Sequence, residues 1–176
     1  MSRVIRKSLQ RSSTEAARLL AAVFTTELIA PSRCLWLVSP WISDIPMIDN
    51  RTDSFDVLRA LGPREVRLSE VLTTLAEEGT TVVVGTTSDP TNLPFRQRLG
   101  RLFEEHGVSD RLVLDVDQTL ALHEKAITGD DFVIAGSMNI TNNGVFVREE
   151  FVELRTEREF VARSRMDAYE RFGGVL

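Results

Sequence analysis

The sequence is poor in the residues from which staples and metal sites are made: it has one cysteine and two histidines in 176 residues. With Cys34 alone no intrachain disulfide can form, so a reducing cytoplasm is the expected setting. Cys34 opens the apolar run Cys34-Leu35-Trp36-Leu37-Val38 and reads as a buried thiol rather than a nucleophile. The histidines, His106 and His123, are too far apart to make a zinc site of ordinary spacing with that cysteine, so no metal and no cofactor are expected. There is no glycine-rich phosphate loop of the Walker type, and Gly173-Gly174 reads as a helix stop. No apolar run is long enough to cross a bilayer. The first residues, Met1 to Lys7, lack the uninterrupted apolar stretch of a secretory signal. Internal repeats and low-complexity linkers are missing too. Positive charge is in deficit, at a net −5. That argues against a protein that coats nucleic acid non-specifically, but leaves room for an enzyme with a locally basic cleft.

What is present is ordinary for a soluble globular chain: 43% hydrophobic and 27% charged residues, enough for a single domain with a real core. The basic cluster Arg3, Arg6, Lys7 and Arg11 reads as a solvated helix start in preference to a phosphate-contacting arm. Ser12 or Ser13 can cap a helix running to about Leu28, stopped by Pro31. Cys34 to Val38 reads as a buried strand, with Trp36 in the core, and Ser39-Pro40-Trp41 follows at its end. Residues 42–63 form a long excursion with a short helix at Phe55 to Leu61. A helix over Ser69 to Glu78 stops at Gly79. The β-branched run Thr80 to Val84 is a strand buried on both sides, followed by a loop that puts Thr86, Thr87 and Asp89 on a rim. A third helix covers Phe95 to Glu105. Strands follow at Leu112 to Val116, Ala121 to Ile127 and Phe132 to Ala135, the last two joined by a hairpin at Gly129-Asp130-Asp131. Glu149 to Leu154 is a further strand and Glu157 to Arg171 a closing helix. The order predicts an α/β fold with a mixed sheet flanked by helices on both faces. The single domain divides into a helical segment over 1–30, a core sheet over 33–155 and the closing helix over 157–172.

The chemistry concentrates late in the chain: His123-Glu124-Lys125, Asp130, Gly136-Ser137-Met138-Asn139, and Glu149-Glu150. Two apart on a strand, His123 and Lys125 project from one face. The turn at Asp130 sends the chain back, bringing Gly136 to Asn139 towards His123, and the small residues there permit close backbone approach. An imidazole, an ammonium and a carboxamide converging in this way suit a phosphate. Lys125 offers charge to non-bridging oxygens and Asn139 an uncharged N–H. His123 serves as nucleophile or proton carrier, and a carboxylate such as Glu149 fixes its tautomer.

His123-x-Lys125 followed by Asp130 and then Gly136-Ser137-x-Asn139 resembles the HxKxxxxD and Gly-Ser-x-Asn signature of the phospholipase D superfamily. The resemblance extends loosely over the strand–helix order from about Cys34 to Leu154. It implies a phospholipase D-like fold and a metal-independent phosphodiesterase in which one histidine attacks phosphorus to form a phosphohistidine. A second histidine protonates the leaving oxygen, and lysine and asparagine hold the phosphate. This chain carries one such motif. His106 has Val108 where a partnering lysine would stand, and reads as a charge at a helix C-terminus. The chain therefore resembles the small single-motif nucleases that pair two chains, which implies a homodimer with nucleic acid, DNA first, as substrate. A phospholipase or phosphatidyltransferase, or a non-catalytic subunit of the same fold, are the alternatives. The size and single motif also resemble the phospholipase D-like component of bacterial 7-deazaguanine DNA-modification clusters, which implies partner proteins in a DNA-modification or defence system. Within the motif, Glu149 is taken as the family glutamate with Glu150 as fallback. Ser137 is assigned to the phosphate pocket, Asp130 and Gly136 to structure. Trp41 is a substrate-stacking candidate, with core packing as its simpler role.

Overall fold

The computed structural model describes residues 2–6, 14–53, 56–147 and 150–176. The apolar run Cys34–Val38 (β2) is a strand of fully buried residues, as its composition predicts, and Thr81–Thr87 (β5) lies parallel beside it, also buried throughout. Leu112–Asp117 (β6) continues the parallel part of the sheet. On the other side of β2 the chain turns antiparallel: Ala126–Thr128 (β7), Val133–Gly136 (β8) and Phe151–Arg155 (β9) follow in order. Ser2–Arg6 (β1) closes that edge against β9, giving the order β1-β9-β8-β7-β2-β5-β6.

Helices α1 (Thr14–Ile29), α2 (Leu68–Glu77) and α3 (Leu93–Glu105) cover one face. Each presents an apolar stripe at helical spacing: Ala16, Leu19, Leu20 and Phe24 on α1, Leu68, Val71, Leu72 and Leu75 on α2, and Phe95, Leu99 and Phe103 on α3, all buried in the larger core cluster. The other face is covered by α4 (Arg158–Phe172), whose Ala168 and Phe172 pack with Cys34, Trp36, Val38, Val83 and Leu122. Trp36 is core, its indole N–H donating to the Gly173 carbonyl at 2.8 Å. Cys34 is fully buried beside it, and burial pushes its thiol up to about 11, as an inert core thiol requires.

Three readings are corrected. The segment 1–30 does not begin as a helix, because Ser2–Arg6 is an edge strand that buries Ile5 while Val4 stays exposed, an alternation of β-branched residues. Lys7, Arg11 and the caps Ser12 and Ser13 lie outside the described residues. The excursion 42–63 contains Pro46–Asp49 (β3), which pairs with Glu65–Arg67 (β4) in a separate two-stranded sheet, and a 3₁₀ turn at Asp56–Leu61. The strand expected over Ala121 to Ile127 is regular only over Ala126–Thr128, and residues 121–125 belong to no regular element. Among the described residues no helix is long and apolar enough to cross a membrane.

Candidate active site

The sheet has two polar edges, and the His123–Asp130 motif runs from one to the other along β7. At the first edge lie the ends of β2, β5, β6 and β8 and the starts of β7 and β9. Lys125 still follows the β7–β8 ladder, its carbonyl accepting from Gly136 N at 3.3 Å. The segment alternates as extended chain does. Leu122 is buried under α4, and Glu124 pairs with Arg171 of α4 at 2.9 Å. Lys125 and His123 are thereby sent towards the opposite face. The Lys125 side chain lies over an apolar slot formed by Ala126, Gly136, Met138, Ile140 and Val152. Its ammonium donates to the His123 carbonyl at 2.7 Å, leaving two N–H groups for a ligand. The His123 ring is exposed and has no hydrogen-bond partner among the described residues. Glu149, the carboxylate assigned to orient it, lies outside the described residues.

Gly136 is required by close approach, since a Cβ there would stand 2.0 Å from the Phe151 carbonyl oxygen. Ser137 follows, and its hydroxyl is committed in both directions. It donates to Glu150 Oε2 and accepts from Phe151 N at 3.0 Å, while Ser137 N donates to the Phe151 carbonyl at 2.9 Å. Ser137 and Glu150 thus lace the entry of β9 to the exit of β8. Asn139 is brought to the same edge by the turn after β8. Gly144, in the π-helical turn Asn143–Val147, lets the chain close over the Asn139 carbonyl.

The loop after β2 is built into this edge by residues to which sequence reasoning gives no role. Ser39, fully buried, donates through its hydroxyl to the Trp41 carbonyl at 2.9 Å and reaches Asn139 Oδ1 at 3.3 Å. Asn92 accepts from Ile42 N and donates to the Pro40 carbonyl, both at 2.8 Å. The Thr86 and Thr87 hydroxyls also donate to Pro40 O, so these residues are buried struts and not rim. Trp41 remains 41% exposed, its indole N–H held by Asp89 Oδ2 at 3.1 Å. Thr91 donates to Asp89 through its hydroxyl and backbone N–H, and with the indole it holds that carboxyl below its ordinary range. Asp89-Pro90-Thr91-Asn92 is a turn signal that could have pointed to these contacts.

At the far edge Asp130 accepts from Arg33 N at 3.0 Å and ion-pairs with Arg165 at 2.8 Å. Asp130 N donates to Ser32 Oγ at 2.8 Å, and Ser32 in turn donates to the buried Glu27 through N at 3.1 Å and Oγ at 3.0 Å. His106 caps α3 with Nδ1 2.8 Å from Glu77 Oε1, away from the motif. Among the described residues no cluster of three or more acidic, cysteine or histidine side chains could hold a metal ion.

No family model and no curated protein matches the sequence. Solved structures do match the fold. NucT from Helicobacter pylori aligns at 12% identity with a TM-score of 0.57, over 98% of this chain and 96% of that one. Nuc from Salmonella typhimurium, a phospholipase D family member, aligns at 12% identity and TM-score 0.61, over 98% and 93%. Phosphatidylserine synthase from Haemophilus influenzae aligns at 15% identity and TM-score 0.57, over 96% of this chain and 36% of that one. The mixed seven-stranded sheet, with its motif crossing from edge to edge, is therefore the phospholipase D fold.

Proposed function

We propose that the protein is a metal-independent phosphodiester hydrolase of the phospholipase D type, acting on nucleic acid, with DNA the first candidate. The observation that carries this is the first edge itself: an exposed imidazole without a partner among the described residues, beside a lysine with donors to spare, on a fold shared with Nuc and NucT. His123 attacks phosphorus as the ester oxygen leaves, giving a phosphohistidine that water then opens. Lys125 and Asn139 hold the non-bridging oxygens. Glu149 orients the attacking ring, with Glu150 second to it, since its carboxylate accepts from Ser137. Trp41 offers a face to a base. The leaving oxygen needs a proton from a second histidine. His106 is engaged with Glu77 away from the motif, so the second ring is His123 of a second copy across a two-fold axis.

The test is hydrolysis of plasmid DNA, single strands, RNA, a bis-aryl phosphodiester and phosphatidylcholine, with and without EDTA. Cleavage of a diester that survives EDTA, with an acid-labile phosphoryl label on His123, is the expected result. A rate restored by magnesium, or a label on another residue, would overturn the mechanism. For the shared site, mixed dimers of wild-type and His123→Ala chains are expected to be inactive. Half the wild-type rate from the mixed dimer would show each chain to be self-sufficient.

A further inference from the structure

The loop 118–122 that leads into His123 is tied to one carboxylate. At the end of β6, Asp117 Oδ1 accepts from Thr119 N at 2.8 Å and Thr119 Oγ1 at 2.6 Å, and Oδ2 accepts from Leu122 N at 2.7 Å. Ala121 N leans on Thr119 Oγ1 at 3.3 Å. The chain is bent tightly enough that Leu120 takes a φ of 59°, a left-handed conformation that a leucine adopts only under constraint. Leu120 is 54% exposed, so no packing of its side chain into the core holds it there. Two residues on, Leu122 is buried with Trp36, Val38 and Phe172, and the next residue is His123. Hydrogen bonds from Thr119 and Leu122 hold the Asp117 carboxyl at about 2, so it stays an ionised acceptor throughout the neutral range. Its folded value lies below the ordinary one, so its stabilising effect is complete above about pH 4 and is lost as the pH falls towards 2.

We infer that Asp117 is a positioning residue for catalysis: its carboxylate folds the 118–122 loop, seats Leu122 in the core and so fixes where the His123 ring stands. This rests on His123 being the reacting group. An unanchored loop would let the ring wander by an ångström or more, and misplacement on that scale costs one to two orders of magnitude in rate.

The experiment follows hydrolysis of a bis-aryl phosphodiester and amide hydrogen exchange at Leu122 in the full-length protein. Asp117→Ala is expected to lose the protection of the Leu122 amide and to lower kcat about tenfold or more, with KM within about twofold. Asp117→Asn keeps one acceptor for Thr119 and loses the one for Leu122, so it is expected to fall between, and it serves if the alanine variant fails to fold. Leu120→Gly in the Asp117→Ala background is expected to recover part of kcat, because glycine takes the positive φ without the steric cost. An exposed Leu122 amide with kcat unchanged would overturn the inference alone, as would a lowered kcat with the amide still protected. Full activity in His123→Ala would overturn the proposed mechanism, and this inference with it.

Discussion

Where β7 ends, Asp130 is bonded to Arg33 and Ser32 and paired with Arg165, and Ser32 is bonded to Glu27, so these groups are engaged with one another. Where β7 begins, Lys125 bonds a carbonyl of its own segment, and three residues before the strand His123 has no partner among the described residues. The two edges are threaded by one motif, yet the far one is engaged internally, with Asp130 Oδ1 and Arg165 Nη2 meeting as an ion pair without a hydrogen bond, while the first holds an exposed imidazole. The His123 ring is open to solvent and two N–H groups of Lys125 are uncommitted within the chain, so this edge is accessible to a ligand. Asp130, at the turn after β7, joins that turn to Arg33, Ser32 and Arg165.

The sharpest way to break this comparison is to mutate both edges. His123→Ala is expected to abolish diester hydrolysis and Lys125→Ala to reduce kcat by about 10² to 10³, worth roughly 3 to 4 kcal/mol, with thermal unfolding little changed in either. Asp130→Ala is expected to do the reverse. It should remove about 2 kcal/mol of stability, discounted for partial exposure of the pair, while activity per folded molecule stays near wild type. Urea melts alongside initial rates decide between them, and an Asp130 variant that stays stable but is inactive would move Asp130 to the reacting edge.

A smaller effect is expected at the rim of the reacting edge. Trp41→Ala should raise KM for single-stranded DNA by about tenfold, from roughly 1 to 2 kcal/mol of lost stacking, and leave KM for a small diester unchanged. Equal losses on both substrates would make Trp41 a packing residue held by Asp89.

The smallest effect concerns the far edge. Burial pushes the Glu27 carboxyl up, against the opposing hydrogen bonds from Ser32. Because its folded value is raised, folding prefers the protonated form. The stabilisation from that preference is complete below the unfolded value near 4.3 and is lost as the pH rises through the folded value. Glu27→Gln keeps an acceptor for Ser32 without the charge. It is expected to flatten the fall in stability between about pH 4 and 7 and to raise the melting temperature at pH 7 by roughly 2 to 4 °C. A lower melting temperature would mean that the charge itself is needed by the Ser32 pair.

The elements that could be read in advance were those with a strong local signal. Cys34 to Val38 and Leu112 to Val116 are short apolar runs bounded by turn residues and lie in strands, and α2 and α3 end at Gly79 and Gly107, which take positive φ. The gathering of His123, Lys125, Gly136 and Asn139 at one edge also followed from strand, turn and return strand. Less legible were β1, β3 and β4, short strands whose partners lie far along the chain, so that pairing and not local propensity decides them. The contacts of Ser137 with Glu150 and Phe151 were hidden for the same reason, because they form only when β9 docks beside β8.

By itself the sequence determined the chemistry available and its order: one motif, two histidines of which one lies in it, one cysteine in an apolar run, and the two-residue spacing of His123 and Lys125. Those are local properties, set by side-chain type and backbone period. The tertiary structure decided which polar groups are spent. It tied Ser39 to Trp41 and Asn139 and turned Thr86 and Thr87 into struts for Pro40. It also bent the chain into His123 around Asp117 and enclosed Asp130 with Arg33 and Arg165. A hydrogen bond needs its partners within about 3 Å, and whether residues a hundred positions apart come that close is fixed only when the sheet assembles.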